Sequence, residues 1–435
     1  MRYFSLNNPN HFVDFREATL QGQAPDGGLY YPENIPVWKE DFARNLKRKS
    51  KSEIGFDIMS PYVGNTVPEK KLYNIIEETL DFDFPLHPIS ENIYSLELFH
   101  GPTLAFKDVG ARFLSRCMGY FAGKLDQKIV VLVATSGDTG GAVAAAFHNI
   151  PGTAVVILYP SGKVSPVQEK QLTALGENIH ALEIEGDFDD CQRLVKMAFL
   201  DEGLRKNILL TSSNSINVAR WLPQQIYYAL ALRQWKIGHK PVVAVPSGNF
   251  GNLCAGLVAK QSGLPIGHFI AACNANDVFT AYMKTGGYHP RSAVPTLSNA
   301  MDVGNPSNFA RILTIFQHDH QKIRETISSI AVSDVETLNT IKTVFDVSQY
   351  MLDPHAAVAY KALQDHLSQH PGHRGLILGT AHPVKFPTVV QSATGHEPAL
   401  PQSLEALMKK KKNSRLISPE YPKFRSTMVE ILKNI

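Results

Sequence analysis

From residue 128 onward the chain repeats one pattern, and that pattern limits its fold more than any other feature. A short β-branched run ends in small polar residues, and a helix-like stretch follows. "KIVVLVATSGDTGGAVAAAF" opens the series, with a strand expected over Ile129 to Ala134 and an alanine-rich helix from about Gly141. "GTAVVILYPSG", "NILLTSSNSINVARWLPQQIYYALAL", "PVVAVPSGNFGNLCAGLVAK" and "GHFIAACNANDVFTAYM" continue it, and "RGLILGTAHPVKFP" stands near the end. Short apolar runs alternating with helical patterns predict parallel sheets joined by crossover helices, an α/β fold. Ligands of such open sheets sit at the carboxyl ends of the strands, where the helix N-termini point. The glycines, serines and asparagines of this chain collect at those turns.

A length of 435 residues exceeds one hydrophobic core, so about two or three domains are expected. The first 90 or so residues differ from the rest. They carry "PDGGLYYPENIP", a glycine–proline loop, then a helical stretch expected around Asp41 to Met59, and read as an N-terminal cap. With 44% hydrophobic and 19% charged residues the composition is that of an ordinary globular protein. No apolar run is long enough to cross a bilayer as a helix, and the start lacks a basic n-region followed by an apolar h-region. A formal charge of +3 gives no warrant for a nucleic-acid partner, and the run Lys409 to Lys412 reads as a solvated helix end or loop. Cys117, Cys191, Cys254 and Cys273 are scattered, without a C-x-x-C pair or histidines at metal-ligand spacing. A cytoplasmic protein without a resident metal is expected.

Three turns offer places for a charged ligand. "PSGNFGNLCAG", Pro246 to Gly256, follows a strand-like run and precedes a helix, so successive N–H groups and the helix dipole face one anion. Gly248 and Gly251 let the backbone approach closely. The loop has neither the G-K-[ST] ending of a nucleoside-triphosphate loop nor the G-x-G-x-x-G of a dinucleotide fold, which favours a monophosphate; a plain strand–helix turn is the other reading. "TSGDTGG" places Ser136 and Thr139 at a helix start, suited to a carboxylate or to simple N-capping. "SSNSINVAR" sets Asn214, Ser215 and Asn217 at a strand end, with Arg220 about one turn into the next helix, either gripping a phosphate or lying on the surface.

Between Phe106 and Asp108, where a glycine–proline loop turns into a helix, stands Lys107. Taken alone it reads as a solvated first-turn lysine. Beside a phosphate cradle and a carboxylate loop, with no G-x-S-x-G elbow or H-E-x-x-H pair in the chain, it suits pyridoxal phosphate, which joins lysine as a Schiff base.

The chain resembles the threonine synthases. "HGPTLAFKDVGARF", "ATSGDTG", "SSNSINVAR", "PSGNFGNLCAG", "TLSNAMDVGNPSNFAR" and "LGTAHPVKF" occur in that family's order, from about residue 20 to 390, and "PDGGLYYP" resembles its bacterial and fungal branch. The resemblance implies the fold type II, tryptophan-synthase-β-like architecture: two open α/β lobes with pyridoxal phosphate between them, plus the N-terminal cap. It implies that Lys107 carries the cofactor, that Gly248, Asn249, Phe250, Gly251 and Asn252 cradle its phosphate, and that Thr380 offers a hydroxyl to its pyridine nitrogen. Ser136, Asp138 and Thr139 would hold the substrate carboxylate, and Asn214, Ser215 and Arg220 the substrate phosphate. The implied reaction turns O-phospho-L-homoserine and water into L-threonine and phosphate. A phospholyase releasing 2-oxobutanoate, ammonia and phosphate is the alternative on the same fold. Val218 and Gly141 depart from residues common in the family, and the chemistry assigns no role to "TLSNAMDVGNPSNFAR". The expected division is residues 1–90 for the cap, 91–112 with 236–435 for the larger lobe and 113–235 for the smaller, in a monomer or homodimer.

Overall fold

A computed structural model describes residues 1–39, 41–206 and 208–433. Among them lie three sheets. The largest runs in the order Ile327–Ala331, His268–Cys273, Val242–Pro246, Gly375–Gly379, Ile93–Glu97 and Leu86–Pro88, parallel except for its last, antiparallel pair. The second is all parallel, in the order Ser414–Ile417, Ile179–Ile184, Thr153–Pro160, Lys128–Ala134 and Ile208–Ser212. Its central strands are buried on both faces, which is why they read as unbroken β-branched runs.

The N-terminal region carries a small antiparallel sheet of Tyr3–Ser5, Phe12–Val13 and Tyr30–Pro32. The helix expected over Asp41 to Met59 is divided. A short helix Asp41–Asn45 and a single 3₁₀ turn precede Lys51–Val63, because Ser50 caps the latter in a capping box with Glu53.

Two boundaries differ from the expected division. Leu86–Pro88 is already an edge strand of the large sheet. More substantially, Ser414–Ile417 pairs with Ile179–Ile184, and Phe424, Met428 and Ile431 of the final helix pack with Cys191 and Leu194. The C-terminal segment therefore returns to the second sheet rather than staying with the first. Its strand is a four-residue edge with two exposed members, so no periodicity announces it. Lys412, from the basic run, anchors the approach by bridging Glu169 and Glu183, each at 2.6 Å.

The strands ending at Glu97, Gly379 and Pro246 in one sheet and at Ala134 and Ser212 in the other send their carboxyl-end loops to one place. No helix among the described residues is long and apolar enough to cross a membrane.

Candidate active site

Lys107 is the first residue of the helix Lys107–Ala122. The chain leading into it is stitched to the turn after Gly375–Gly379. Ala105 bridges Ala381, Phe106 N donates to Thr380 O at 2.9 Å, and His382 N donates to Leu104 O at 3.1 Å. Asp108 closes the preceding loop by accepting from the backbone N and the hydroxyl of Thr103. Lys107 is not a solvated lysine, because its side chain retains only 16% exposure. Burial first, and then the cations of Lys385 and Arg220, pull its pKa below the ordinary lysine value against the opposing carboxylates of Asp138 and Asp353. The positive helix end beside it acts in the same direction. Lowering the pKa in this way makes the neutral amine, the form that acts as nucleophile and base, more accessible than in a solvated lysine.

The anion loop has the expected form, and its glycine has a more specific cause. Phe250 takes the left-handed conformation (φ 58°) immediately before the helix Gly251–Gln261, which turns the loop's N–H groups toward the helix end. At Gly248 a Cβ would come within 2.7 Å of the Met301 Cα, so the glycine is required by the backbone packed behind the loop. This explains "TLSNAMDVGNPSNFAR": it backs the anion loop. Ser307 N donates to Asn249 Oδ1 at 2.6 Å and Asn308 Nδ2 to Asn249 O at 2.8 Å. Asp302 fastens the segment, accepting from Asn274 at 2.9 Å, Asn276 at 3.1 Å and the Thr296 hydroxyl at 2.7 Å. Tyr228 fixes Asn252 by donating to its carbonyl at 2.9 Å and its Oδ1 at 2.8 Å, while Asn252 Nδ2 stays buried without a partner among the described residues.

The Asn214–Arg220 segment lies between this loop and the Lys107 helix. Asn249 Nδ2 donates to Ser215 Oγ at 2.6 Å. At Gly110, one turn into the Lys107 helix, a Cβ would meet Arg220 O at 2.4 Å, so that glycine lets the two backbones touch. Arg220 is buried, and its Nη1 has no hydrogen-bond partner among the described residues. Burial lowers its pKa to about 10, which leaves the guanidinium charged at neutral pH. Asn214 is half-buried, whereas Asn217 is a structural cap that accepts from Ala219 N and donates to Thr19 O.

One expected residue is placed differently. In "TSGDTGG" the hydroxyl of Thr135 caps the turn, accepting from Gly137 N at 3.0 Å and Gly140 N at 2.8 Å, and Ser136 and Thr139 stand half-buried at the helix start. The Asp138 carboxylate, expected to help hold a substrate carboxylate, is instead a counterion. It accepts from Lys385 Nζ at 2.7 Å and Gln168 Nε2 at 2.9 Å, and lies 3.8 Å from Lys107 Nζ. The two lysines hold it ionised, well below the usual carboxylate range despite burial. A carboxylate so placed repels another. Lys385 is the functional residue that sequence reasoning missed; its only signal is a lysine within "HPVKF", beside the quoted Thr380 turn.

A family profile described as "Pyridoxal-phosphate dependent enzyme" matches residues 85–379, and profiles for the threonine synthase N terminus and C-terminal region match residues 2–80 and 356–427. A threonine synthase of Serratia marcescens is 43% identical over 93% of this chain and 93% of its own. Among solved structures, threonine synthase from Escherichia coli superposes with a TM-score of 0.92 at 40% identity, covering 99% of this chain and 100% of that one. Pyridoxal-phosphate-bound threonine synthase from Brucella melitensis gives 0.92 at 36% identity, covering 99% and 98%. The chain belongs to the threonine synthase family.

The site fits the cofactor of that family. A buried amine of lowered pKa, a loop with a left-handed entry to an eleven-residue helix, and an unpartnered Asn252 amide meet an aldehyde and a phosphate. Thr380, buried and joined through its carbonyl to Phe106, lies on the chain next to Lys107. Its neutral hydroxyl does not impose a proton on a ring nitrogen, as a carboxylate would. Lys107, Asp138, Lys385 and Arg220 thus stand near the anion loop and the Thr380 turn.

Proposed function

We propose that this chain converts O-phospho-L-homoserine and water to L-threonine and inorganic phosphate, with Lys107 joined covalently to pyridoxal phosphate. In this reading Gly248 to Asn252 would hold the cofactor phosphate and Thr380 would offer its hydroxyl to the ring nitrogen. The backbone of the Ser136–Thr139 turn and the Ser136 and Thr139 hydroxyls orient the substrate carboxylate. Bound pyridoxal phosphate supplies an electron sink for the negative charge that develops on the substrate carbons. With the cofactor bound, Lys107 would be the base that moves protons at the substrate Cα and Cβ. Arg220 meets the charge on phosphate as it departs from Cγ. We further place the enzyme in the cytoplasm, with its four cysteines reduced.

The observation that carries this reading is Arg220. A buried guanidinium with a free donor, one helix contact from the amine, is a ready anion site that an enzyme acting on unphosphorylated serine or threonine does not require. The test is a product assay on cofactor-loaded protein given O-phospho-L-homoserine. Equimolar threonine and phosphate are expected. Phosphate with 2-oxobutanoate and ammonia would assign the phospholyase instead, and no phosphate release would overturn the substrate.

Arg220→Ala separates the two phosphate sites. Loss of a charge-assisted contact is expected to raise KM roughly ten- to a hundredfold while the affinity for pyridoxal phosphate changes little. Steady-state kinetics and a cofactor titration check both, and an unchanged KM would remove Arg220 from the substrate site.

A further inference from the structure

Lys385 is fully buried, yet it is a cation whose partners come from two other segments. It sits in the 3₁₀ turn Pro383–Lys385 after the strand Gly375–Gly379 of the large sheet. It reaches Asp138 Oδ1 at 2.7 Å, on the helix that follows Lys128–Ala134 of the second sheet, and Thr103 O at 2.9 Å. Lys107 Nζ lies 3.8 Å from the other oxygen of the same carboxylate. One carboxylate thus faces two lysines, and the closer, doubly accepted ammonium takes it. The groups around the Lys107 amine are Asp138, Lys385, Arg220 and Asp353, with the Phe106 ring at 5.0 Å.

We infer that Lys385 is a positioning residue for the catalytic amine: by taking Asp138 at hydrogen-bond distance from the opposite lobe, it holds the carboxylate 3.8 Å from the Lys107 nitrogen, too far for a hydrogen bond, and weakens its hold on a proton there. Without the Lys385 charge, Asp138 is the nearest counterion for Lys107 and holds a proton on it. A protonated amine has no lone pair to offer an aldehyde carbon. The same ion pair joins the turn after Gly375–Gly379 of the large sheet to the helix after Lys128–Ala134 of the second. This inference rests on Lys107 being the residue that takes the cofactor.

The test uses cofactor-free protein mixed with pyridoxal phosphate across a pH series. The adduct forms when the amine nitrogen bonds to the aldehyde carbon and water leaves. Borohydride then delivers hydride to the carbon–nitrogen double bond and fixes the adduct, which peptide mass spectrometry maps and counts. In the wild type, the capture rate at Lys107 should reach its midpoint below the pH of an ordinary lysine. In Lys385→Met, the midpoint should move up by about one pH unit or more, with about a tenfold loss of rate at neutral pH. Lys385→Gln keeps amide donors for Thr103 O and Asp138 but not the charge, and carries the same expectation should the methionine variant not fold. Lys385→Arg should restore the wild-type midpoint, and so should Asp138→Asn combined with Lys385→Met. A wild-type midpoint at the ordinary lysine value, or a methionine or glutamine profile superimposed on wild type, would overturn the inference. An adduct mapped to a lysine other than Lys107 would instead overturn the cofactor assignment itself.

Discussion

Lys107→Ala is expected to lower turnover by at least about 10⁴-fold while the phosphate loop still retains the cofactor. The large loss follows from two duties resting on one nitrogen, covalent attachment and proton movement at two carbons. No neighbour can take them over. The nearest other amine, Lys385, is committed to Asp138 and Thr103 O and is fully buried. Retention follows from the separate origin of the proposed phosphate cradle, the loop between Val242–Pro246 and Gly251–Gln261, which is backed by Asn308. Phosphate release gives the turnover, and absorbance after gel filtration gives the cofactor retained. A small alkylamine added to the variant should recover a fraction of the activity, since truncation opens room beside Asp138. Turnover within tenfold of wild type would show that another group bears the chemistry.

The parts of this site that were legible in the sequence are those whose cause is local. Strands buried on both faces must be apolar and β-branched, so Lys128–Ala134, Thr153–Pro160 and Val242–Pro246 stand out, and the turns after them must be small and polar. What stayed hidden depends on partners distant in the chain. Nothing near Lys107 foretells its burial, because the covering carboxylate and cations come from the helix starting at Asp138, from Arg220 and from Lys385. The resemblance to threonine synthases, rather than local chemistry, singled it out. Asp138 shows the opposite failure. Its place in the motif was plain, but its role turned on a lysine arriving from the other lobe. The strand Ser414–Ile417 escaped because half of it faces solvent, and the backing segment because its asparagines are indistinguishable from turn residues until Asn249 is seen against them.

Arg311 extends the same lesson, and its replacement has the largest expected effect on stability. Its guanidinium is completely buried and has no carboxylate partner among the described residues; every hydrogen bond it makes goes to a neutral oxygen. Nη2 donates to Tyr30 O at 2.9 Å and Ile216 O at 2.6 Å, Nη1 to Asn308 Oδ1 at 2.6 Å, and the group lies 4.7 Å above the Trp221 ring. One side chain thus joins the N-terminal sheet, the Asn214–Arg220 segment and, through Asn308 and Asn249, the anion loop. Arg311→Leu fills the volume but strands at least two backbone carbonyls, each a loss of about 1–3 kcal/mol, so a destabilisation of about 3–5 kcal/mol is expected. Arg311→Lys should lie between the two, because an ammonium cannot span the same fork of acceptors. Urea unfolding measures the loss, and hydrogen exchange in cofactor-loaded protein localises it. Protection should fall at residues 214–218 and 248–252 together and in the N-terminal sheet, while Lys128–Ala134 keeps its own. If protection fell evenly across the chain, Arg311 would be ordinary packing. Loss confined to those three segments would make it the tie by which the cap holds both anion sites in register with Lys107.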